Sequence, residues 1–85
     1  MKTSIFKGTV DTPFGLFLVA VDSTAQDAKR DIYSAVYSLF NMPQGMARVT
    51  NEISKSNRRI LGKMAPIKNA TSYHSGQWGW AKKVK

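Results

Sequence analysis

The apolar run Leu16–Val21 constrains the fold more than any other part of the sequence. Successive residues of a strand point to opposite faces, and in this run both alternating sets are apolar. A strand of this kind has to be covered on both faces or lie at the centre of its sheet. The segment Ser4–Val10 is also rich in residues that favour strands, and Asp11–Gly15 between the two contains a proline and a glycine suited to a turn. The sequence therefore predicts an antiparallel β-hairpin over residues 4–22.

The same apolar run is too short to act as a membrane span or a secretory signal. Its longest form, Phe14–Val21, has about eight residues, whereas a helix needs roughly 20 to cross a bilayer. Asp11 separates the run from Lys2 and Lys7, and no small-residue cleavage site follows it. We therefore expect a protein of the cytoplasm, or of the host cytoplasm if the chain is of phage origin.

Residues 24–41 carry the pattern of an amphipathic helix. Ser23 and Gln26 fit a capping box at its start, and Pro43 cannot continue it, so the helix is predicted to end near Asn41. At about 100° per residue, one arc of this helix is apolar, and the opposite arc, which includes Asp31, is polar. The apolar arc contains Ala25, Ala28, Ile32, Ala35, Val36, Leu39 and Phe40.

A second amphipathic helix is predicted over residues 46–63, because Gly62 and Pro66 mark an end and the apolar residues before them recur at helical spacing. Its far side carries side chains at steps of three and four, which would form a basic stripe roughly 22 Å long. The stripe consists of Arg48, Glu52, Lys55, Arg59 and Lys63, with Arg58 beside it.

The C-terminal segment, residues 66–85, is rich in aromatic rings and lysines. Trp78, Trp80 and Lys82 alternate with period two, which favours an extended segment or a third strand. Together the elements predict a small single α+β domain spanning residues 1–85, in which two helices cover the hairpin in the order β-β-α-α. The predicted core consists of Ile5, Phe6, Val10, Phe17, Val19, Val21, Ile32, Val36, Leu39, Val49, Ile53 and Ile60.

The positive charge of the chain is confined to its second half. The 85 residues include 13 Lys and Arg against 5 Asp and Glu, for a formal net charge of +8. Residues 1–47 hold four cations and four carboxylates, so the whole excess belongs to residues 48–85. Segregation of this kind indicates a surface that binds a polyanion or an acidic protein.

The sequence does not favour an enzyme. The absence of cysteine excludes disulfides, thiolate metal sites and a cysteine nucleophile. No acid forms a recognisable catalytic signature with His74, and Asp27 and Asp31 lie on the predicted solvent arc of a helix without a third metal ligand. The glycines form neither a P-loop nor a dinucleotide fingerprint. We therefore predict no catalytic residue, no metal and no cofactor.

The leading hypothesis is a small non-enzymatic nucleic-acid-binding protein, with RNA or a single strand favoured over duplex DNA. The basic helix face would contact phosphates, while rings beside lysines would stack on bases. Two alternatives stay open: the basic stripe is a solvated face, and Trp78 and Trp80 close the core. The residues expected at the interface are Arg48, Lys55, Arg58, Arg59, Lys63, Lys68, Trp78, Trp80, Lys82, Lys83 and Lys85.

The rival hypothesis is an accessory protein that binds and inhibits or redirects a larger host protein or nucleoprotein complex. In size and composition the chain is similar to the small accessory proteins of phages and mobile elements, although no motif carries this similarity. Its anchors would be Trp78, Trp80, Tyr33 and Tyr37. A membrane surface is not an expected partner, because the apolar arc of the second helix is needed to cover the hairpin. The sequence does not indicate an oligomeric state.

Overall fold

Strands β1 (Ser4–Thr12) and β2 (Gly15–Ser23) form the antiparallel hairpin that the sequence predicts. The structure is a computed structural model and describes residues 3–43, 45–68 and 78–85. Each strand of the hairpin has nine residues and is paired along its whole length. The hairpin is therefore slightly longer than the predicted one and forms the largest part of the sheet.

The hairpin turn depends on Gly15. The Thr12 hydroxyl accepts the backbone N–H of Phe14 at 3.1 Å and donates to the carbonyl oxygen of Gly15 at 2.9 Å. Gly15 has a φ of +127°, which L side chains rarely adopt, and a Cβ at this position would lie 2.6 Å from the carbonyl oxygen of Lys85. Glycine is thus required here both by the backbone conformation and by the chain that packs against it.

Helix α1 (Ala28–Phe40) packs across one face of the sheet. It ends as predicted, with Asn41 in the left-handed conformation and its N–H bonded to the carbonyl oxygen of Tyr37. It begins later than predicted, because Asp27 rather than Ser23 is the N-cap residue.

In the described part of the chain, no helix is long and apolar enough to cross a membrane.

Asp31 is buried, whereas the helical pattern predicted that it faces solvent. Its side chain is only 6% exposed. The hydroxyl of Ser23, at the end of β2, donates a hydrogen bond to the Asp31 carboxylate, and Arg30 lies 3.8 Å from the other carboxylate oxygen. The carboxylate is therefore compensated at the junction of helix and sheet, which a helical wheel cannot show.

The prediction of a second α-helix over residues 46–63 is wrong. The structure has two short strands and a 3₁₀ helix there: β3 (Arg48–Val49), β4 (Ser54–Ser56) and η1 (Arg58–Lys63). Both strands pair with β1, whose outer edge would otherwise leave its backbone groups without partners. The intervening Thr, Asn and Ser residues are weak helix formers, so pairing with the sheet outweighs the helical spacing of the apolar residues. The order β-β-α-α is accordingly not confirmed, while the α+β class is.

The C-terminal segment adds strands β5 (Ala65–Ile67) and β6 (Gly79–Lys83). The six strands of the described chain form one antiparallel sheet in the order β3-β1-β2-β6-β5, with β4 following β3 along the same edge of β1. Strand β2 is therefore central, as its apolar run predicts. Beyond β6, the N–H groups of Val84 and Lys85 both approach the carbonyl oxygen of Leu16, so the chain continues along β2 to its last residue.

Two clusters of buried side chains lie on opposite faces of the sheet. The larger cluster lies under α1 and contains Val10, Phe17, Val19, Val21, Ile32, Ala35, Val36, Ala47 and Ile67. The smaller one, on the other face, contains Ile5, Ala20 and Met64. Of the predicted core residues, seven are buried, namely Ile5, Val10, Phe17, Val19, Val21, Ile32 and Val36. Phe6, Val49, Ile53 and Ile60 are half-buried, and Leu39 is wrongly predicted because it is exposed.

Candidate nucleic-acid interface

The sheet face turned away from α1, which we call the distal face, carries a mixture of cationic, polar and apolar side chains. Strand register defines its members, since directly paired residues share a face. Thr9, Leu18 and Lys82 form one cross-strand row. The next row consists of Lys7, Ala20 and Trp80. Helix α1 and the larger core cluster occupy the opposite face, so nothing on α1 covers these rows.

Helix η1 covers one end of the distal face. Its Ile60 and Leu61, with Met64 just after it, pack against the cluster of Ile5 and Ala20. Asn57 caps the start of η1 by accepting the backbone N–H of Arg59 at 3.2 Å. Because the apolar side chains of η1 face the sheet, its cationic residues are left exposed on the same side of the molecule as the distal face.

Among the described strands and η1, six cations therefore lie on this side of the sheet, on or above the distal face. Three come from strands and three from η1, and we call them the distal cations: Lys7, Arg48, Lys82, Arg58, Arg59 and Lys63. Two carboxylates, Asp11 and Asp22, share the face, which leaves a formal excess of four positive charges. On the other side, α1 itself is balanced, with Lys29 and Arg30 against Asp27 and Asp31.

The predicted basic stripe does not exist as one line of side chains. Arg48 pairs with Asp11 and lies on the distal face, whereas Lys55 pairs with Phe6 on the face of α1. The alternation of a strand separates residues that a helix would have brought to one side. Lys83 pairs with Phe17 and likewise lies at a helix-side position. Lys68 and Lys85 are exposed just beyond the ends of β5 and β6.

The two tryptophans have different environments. Trp80 is half-buried and packs against the smaller core cluster. Trp78 is 50% exposed, and its carbonyl oxygen accepts the N–H of Asp22 at 3.4 Å, which continues the register of β2 with β6 and places Trp78 on the distal face. One ring therefore closes a core, while the other presents half of its surface beside the distal cations. Two further aromatic residues of the C-terminal segment, Tyr73 and His74, lie outside the described residues.

Both carboxylates of the distal face stand beside arginines. Asp22 Oδ2 lies 3.8 Å from Arg58 Nη2, and Asp11 is directly opposite Arg48 across the strands. The other Asp22 oxygen, Oδ1, is buried and has no hydrogen-bond partner among the described residues. Arg48 and Asp11 are strand partners but form no ion pair. The other distal cations likewise have no ion pair in the described parts of the chain: Lys7, Arg59, Lys63 and Lys82.

Lys7 is the member of this surface that reasoning from the sequence missed. It belongs to the half of the chain with balanced charge, and nothing in that half suggested a cationic surface. The available signal was the alternation of β1, in which Phe6, Gly8 and Val10 point to one face and Lys7 to the other. Only the pairing of β1 with β2, and of β2 with β6, shows that Lys7 shares that face with Lys82.

The distal face combines exposed guanidinium and ammonium groups with one half-exposed indole ring. Lysine and arginine bind phosphates, and an indole offers a face for stacking. The chain matches no protein-family model, no curated protein and no solved structure.

Proposed function

We propose that this protein is a non-enzymatic nucleic-acid-binding protein that uses the distal face and η1. The observation that carries the proposal is the grouping of the six distal cations beside the exposed ring of Trp78. Arginine and lysine supply phosphate contacts that release counterions, and the ring supplies a base-stacking surface. Such a protein would act in the cytoplasmic compartment that the sequence predicts.

A single strand, of RNA or DNA, suits this surface better than a duplex. Major-groove recognition commonly uses an α-helix or a two-stranded ribbon that enters the groove. Here the cationic helical element is a single 3₁₀ helix of six residues packed onto a sheet, which offers a broad surface instead of a protruding one. Sheet surfaces with aromatic and cationic side chains are typical of modules that bind splayed single strands.

The direct test is a filter-binding titration of the intact chain with labelled single-stranded and duplex oligonucleotides across NaCl concentrations. We expect single strands to bind more tightly, with an affinity that falls steeply between about 50 and 200 mM salt. Arg59→Ala is expected to weaken binding, whereas Lys29→Ala on α1 serves as the matched control. Absence of binding at about 50 mM salt, or an affinity independent of salt, would contradict the proposal.

A second candidate function, binding to a larger protein, is favoured by the end of the molecule at the hairpin turn. Phe14 is 55% exposed although it stacks on Phe40 with ring centroids 4.8 Å apart, and Met46 is 48% exposed. Met46 also lines a groove with Pro13, Ala47 and Arg48. Exposed aromatic and methionine side chains are common anchors of protein interfaces.

The tyrosines proposed as anchors for a protein partner have structural contacts of their own. The hydroxyl of Tyr33 accepts the N–H of Val49, and that of Tyr37 accepts the N–H of Gly45, each at 3.0 Å.

A pull-down from nuclease-treated lysate separates nucleic-acid binding from protein binding. Retention of one stoichiometric protein, lost with Phe14→Ser but kept with Lys82→Gln, would favour the protein-binding function.

A further inference from the structure

We infer that Asp22 and Asp11 restrict the phosphate contacts of the distal face to four cations, Lys7, Arg59, Lys63 and Lys82. This inference rests on the proposed function and specifies which side chains perform it. The six distal cations divide by their surroundings: Arg58 forms an ion pair with Asp22, Arg48 has Asp11 directly opposite it across the strands without forming an ion pair, and the other four have neither an ion pair nor a directly opposed carboxylate within the described residues. A cation whose charge is already balanced by a neighbouring carboxylate attracts a phosphate less strongly.

The position of Asp22 makes it an effective competitor for Arg58. Its side chain is only 27% exposed, whereas that of Arg58 is 78% exposed. Oδ1 is buried and Oδ2 faces the guanidinium, so the carboxylate is partly withdrawn from the screening of water. A phosphate that approaches Arg58 has to compete with this fixed charge and is also repelled by it.

Lys7 and Lys82 belong to adjacent cross-strand rows, on strands that are separated only by β2. Because neighbouring strands are about 4.8 Å apart, β1 and β6 lie roughly 10 Å from each other across the sheet. Arg59 and Lys63 lie on η1, which packs over Ile5 and Ala20 and so lies beside the row of Lys7 on the same face. A bound strand would therefore run from η1 across the open part of the sheet, with the exposed Trp78 ring on the same face.

The number of phosphate contacts can be read from salt dependence. For a single strand the slope of log K against log salt is about −0.7 per neutralised phosphate. Four contacts predict a slope of about −2.8, and six contacts predict about −4.2. We propose to measure this slope by fluorescence anisotropy, with the intact chain and a labelled oligouridylate of about ten nucleotides, between about 50 and 200 mM NaCl.

Single substitutions test which cations contribute. Lys7→Gln, Arg59→Gln, Lys63→Gln and Lys82→Gln are each expected to flatten the slope by about 0.7. Arg48→Gln and Arg58→Gln are expected to change it by less than half as much. Lys29→Gln on α1 is the matched control for loss of one positive charge away from the face, and circular dichroism of each variant verifies that it is folded.

The Asp22–Arg58 pair is tested by a double-mutant cycle. Asp22→Asn is expected to steepen the slope by about 0.7 and to tighten binding about two- to five-fold. Both gains should disappear when Arg58→Gln is also present, because the released guanidinium is then absent. Asp27→Asn on α1 removes the same charge elsewhere and controls for net charge.

The outcomes separate this inference from the proposed function. If no oligonucleotide binds at about 50 mM salt, the proposed function itself is wrong. If the oligonucleotide binds with a slope near −4, or if Arg58→Gln flattens the slope as much as Lys82→Gln does, nucleic-acid binding stands and the restriction to four cations is overturned. An unchanged slope for Lys7→Gln would remove Lys7 from the contact surface and likewise overturn the assignment of these four cations.

Discussion

The phenolic oxygen of Tyr33 accepts the backbone N–H of Val49 at 3.0 Å, so α1 is bonded directly to strand β3. Val49 pairs with Val10 of β1, and both residues belong to or pack against the larger core cluster. One hydroxyl thus helps to hold residues 48–49 as a strand at the edge of the sheet.

Replacing Tyr33 with Phe should destabilise the protein by about 1 kcal/mol, because the partly buried N–H of Val49 would lose its acceptor. Urea unfolding measures the loss, and hydrogen exchange at the Val49 amide should accelerate more than at amides of β2. The matched control is Tyr37→Phe, since the hydroxyl of Tyr37 accepts the N–H of Gly45 at an exposed site where water can replace it. Equal losses for the two variants would contradict this reasoning.

Gly15→Ala should destabilise the fold by about 1–3 kcal/mol, because the new methyl group meets both an unfavourable φ and the carbonyl oxygen of Lys85. We expect the hydrogen bonds between Leu16 and the end of the chain to be lost first, with chemical-shift changes at Val84 and Lys85 in NMR spectra. Gly62→Ala provides the comparison, since no described atom beyond the neighbouring residues and backbone of its own helix lies within 4 Å of the place its Cβ would take, and no positive φ opposes it. A similar loss at both glycines would refute the role of the close approach.

Ser23→Ala should cost about 1–2 kcal/mol, because the buried carboxylate of Asp31 would lose a hydroxyl donor while keeping its contact with Arg30. Thermal unfolding followed by circular dichroism would report the change as a lower midpoint. The control is Ser38→Ala on α1, which removes a hydroxyl about two helical turns from Asp31. It should leave the unfolding midpoint almost unchanged, since alanine favours helix. The prediction fails if the two serine variants unfold at the same temperature.

Substitutions of the two tryptophans should affect different properties, stability for Trp80 and oligonucleotide binding for Trp78. Trp80→Ala is expected to destabilise the protein by about 2–3 kcal/mol, because its ring packs against the smaller core cluster. Trp78→Ala should leave the unfolding midpoint nearly unchanged and weaken oligonucleotide binding by about 1–3 kcal/mol, the usual loss for one stacked base. Iodide quenching of the two single-tryptophan variants, Trp78→Phe and Trp80→Phe, checks the assignment of exposed and buried rings. A large stability loss with Trp78→Ala would indicate a structural role instead.

The hairpin and the first helix could be predicted from the sequence because their signals are local. The apolar run Leu16–Val21 requires cover on both faces, and the structure provides α1 on one side and the smaller cluster on the other. The turn and the end of the helix likewise follow from residues next to them in the chain. Such features need no knowledge of distant partners.

Residues 46–63 could not be predicted correctly because a distant segment decides their structure. The spacing of Val49 and Ile53 fits a helix, yet the edge of β1 requires partners, and Tyr33 lies where it can hold the Val49 amide. Part of the candidate interface is as predicted, since Arg59 and Lys63 are exposed on one side of the molecule. Its arrangement differs from the prediction, because Lys55 lies on the face of α1 and Lys7 lies on the distal face.

Both edges of the described sheet are short and interrupted, and this has a consequence for association between copies. One edge consists of β3 and β4, with two and three residues, and the other of β5, whose Pro66 has no N–H to donate. Long, unbroken edges are the usual templates for aggregation, and breaks and prolines suppress it. If the distal face binds a polyanion as proposed, neighbouring copies on it would therefore not merge into an intermolecular sheet through these edges.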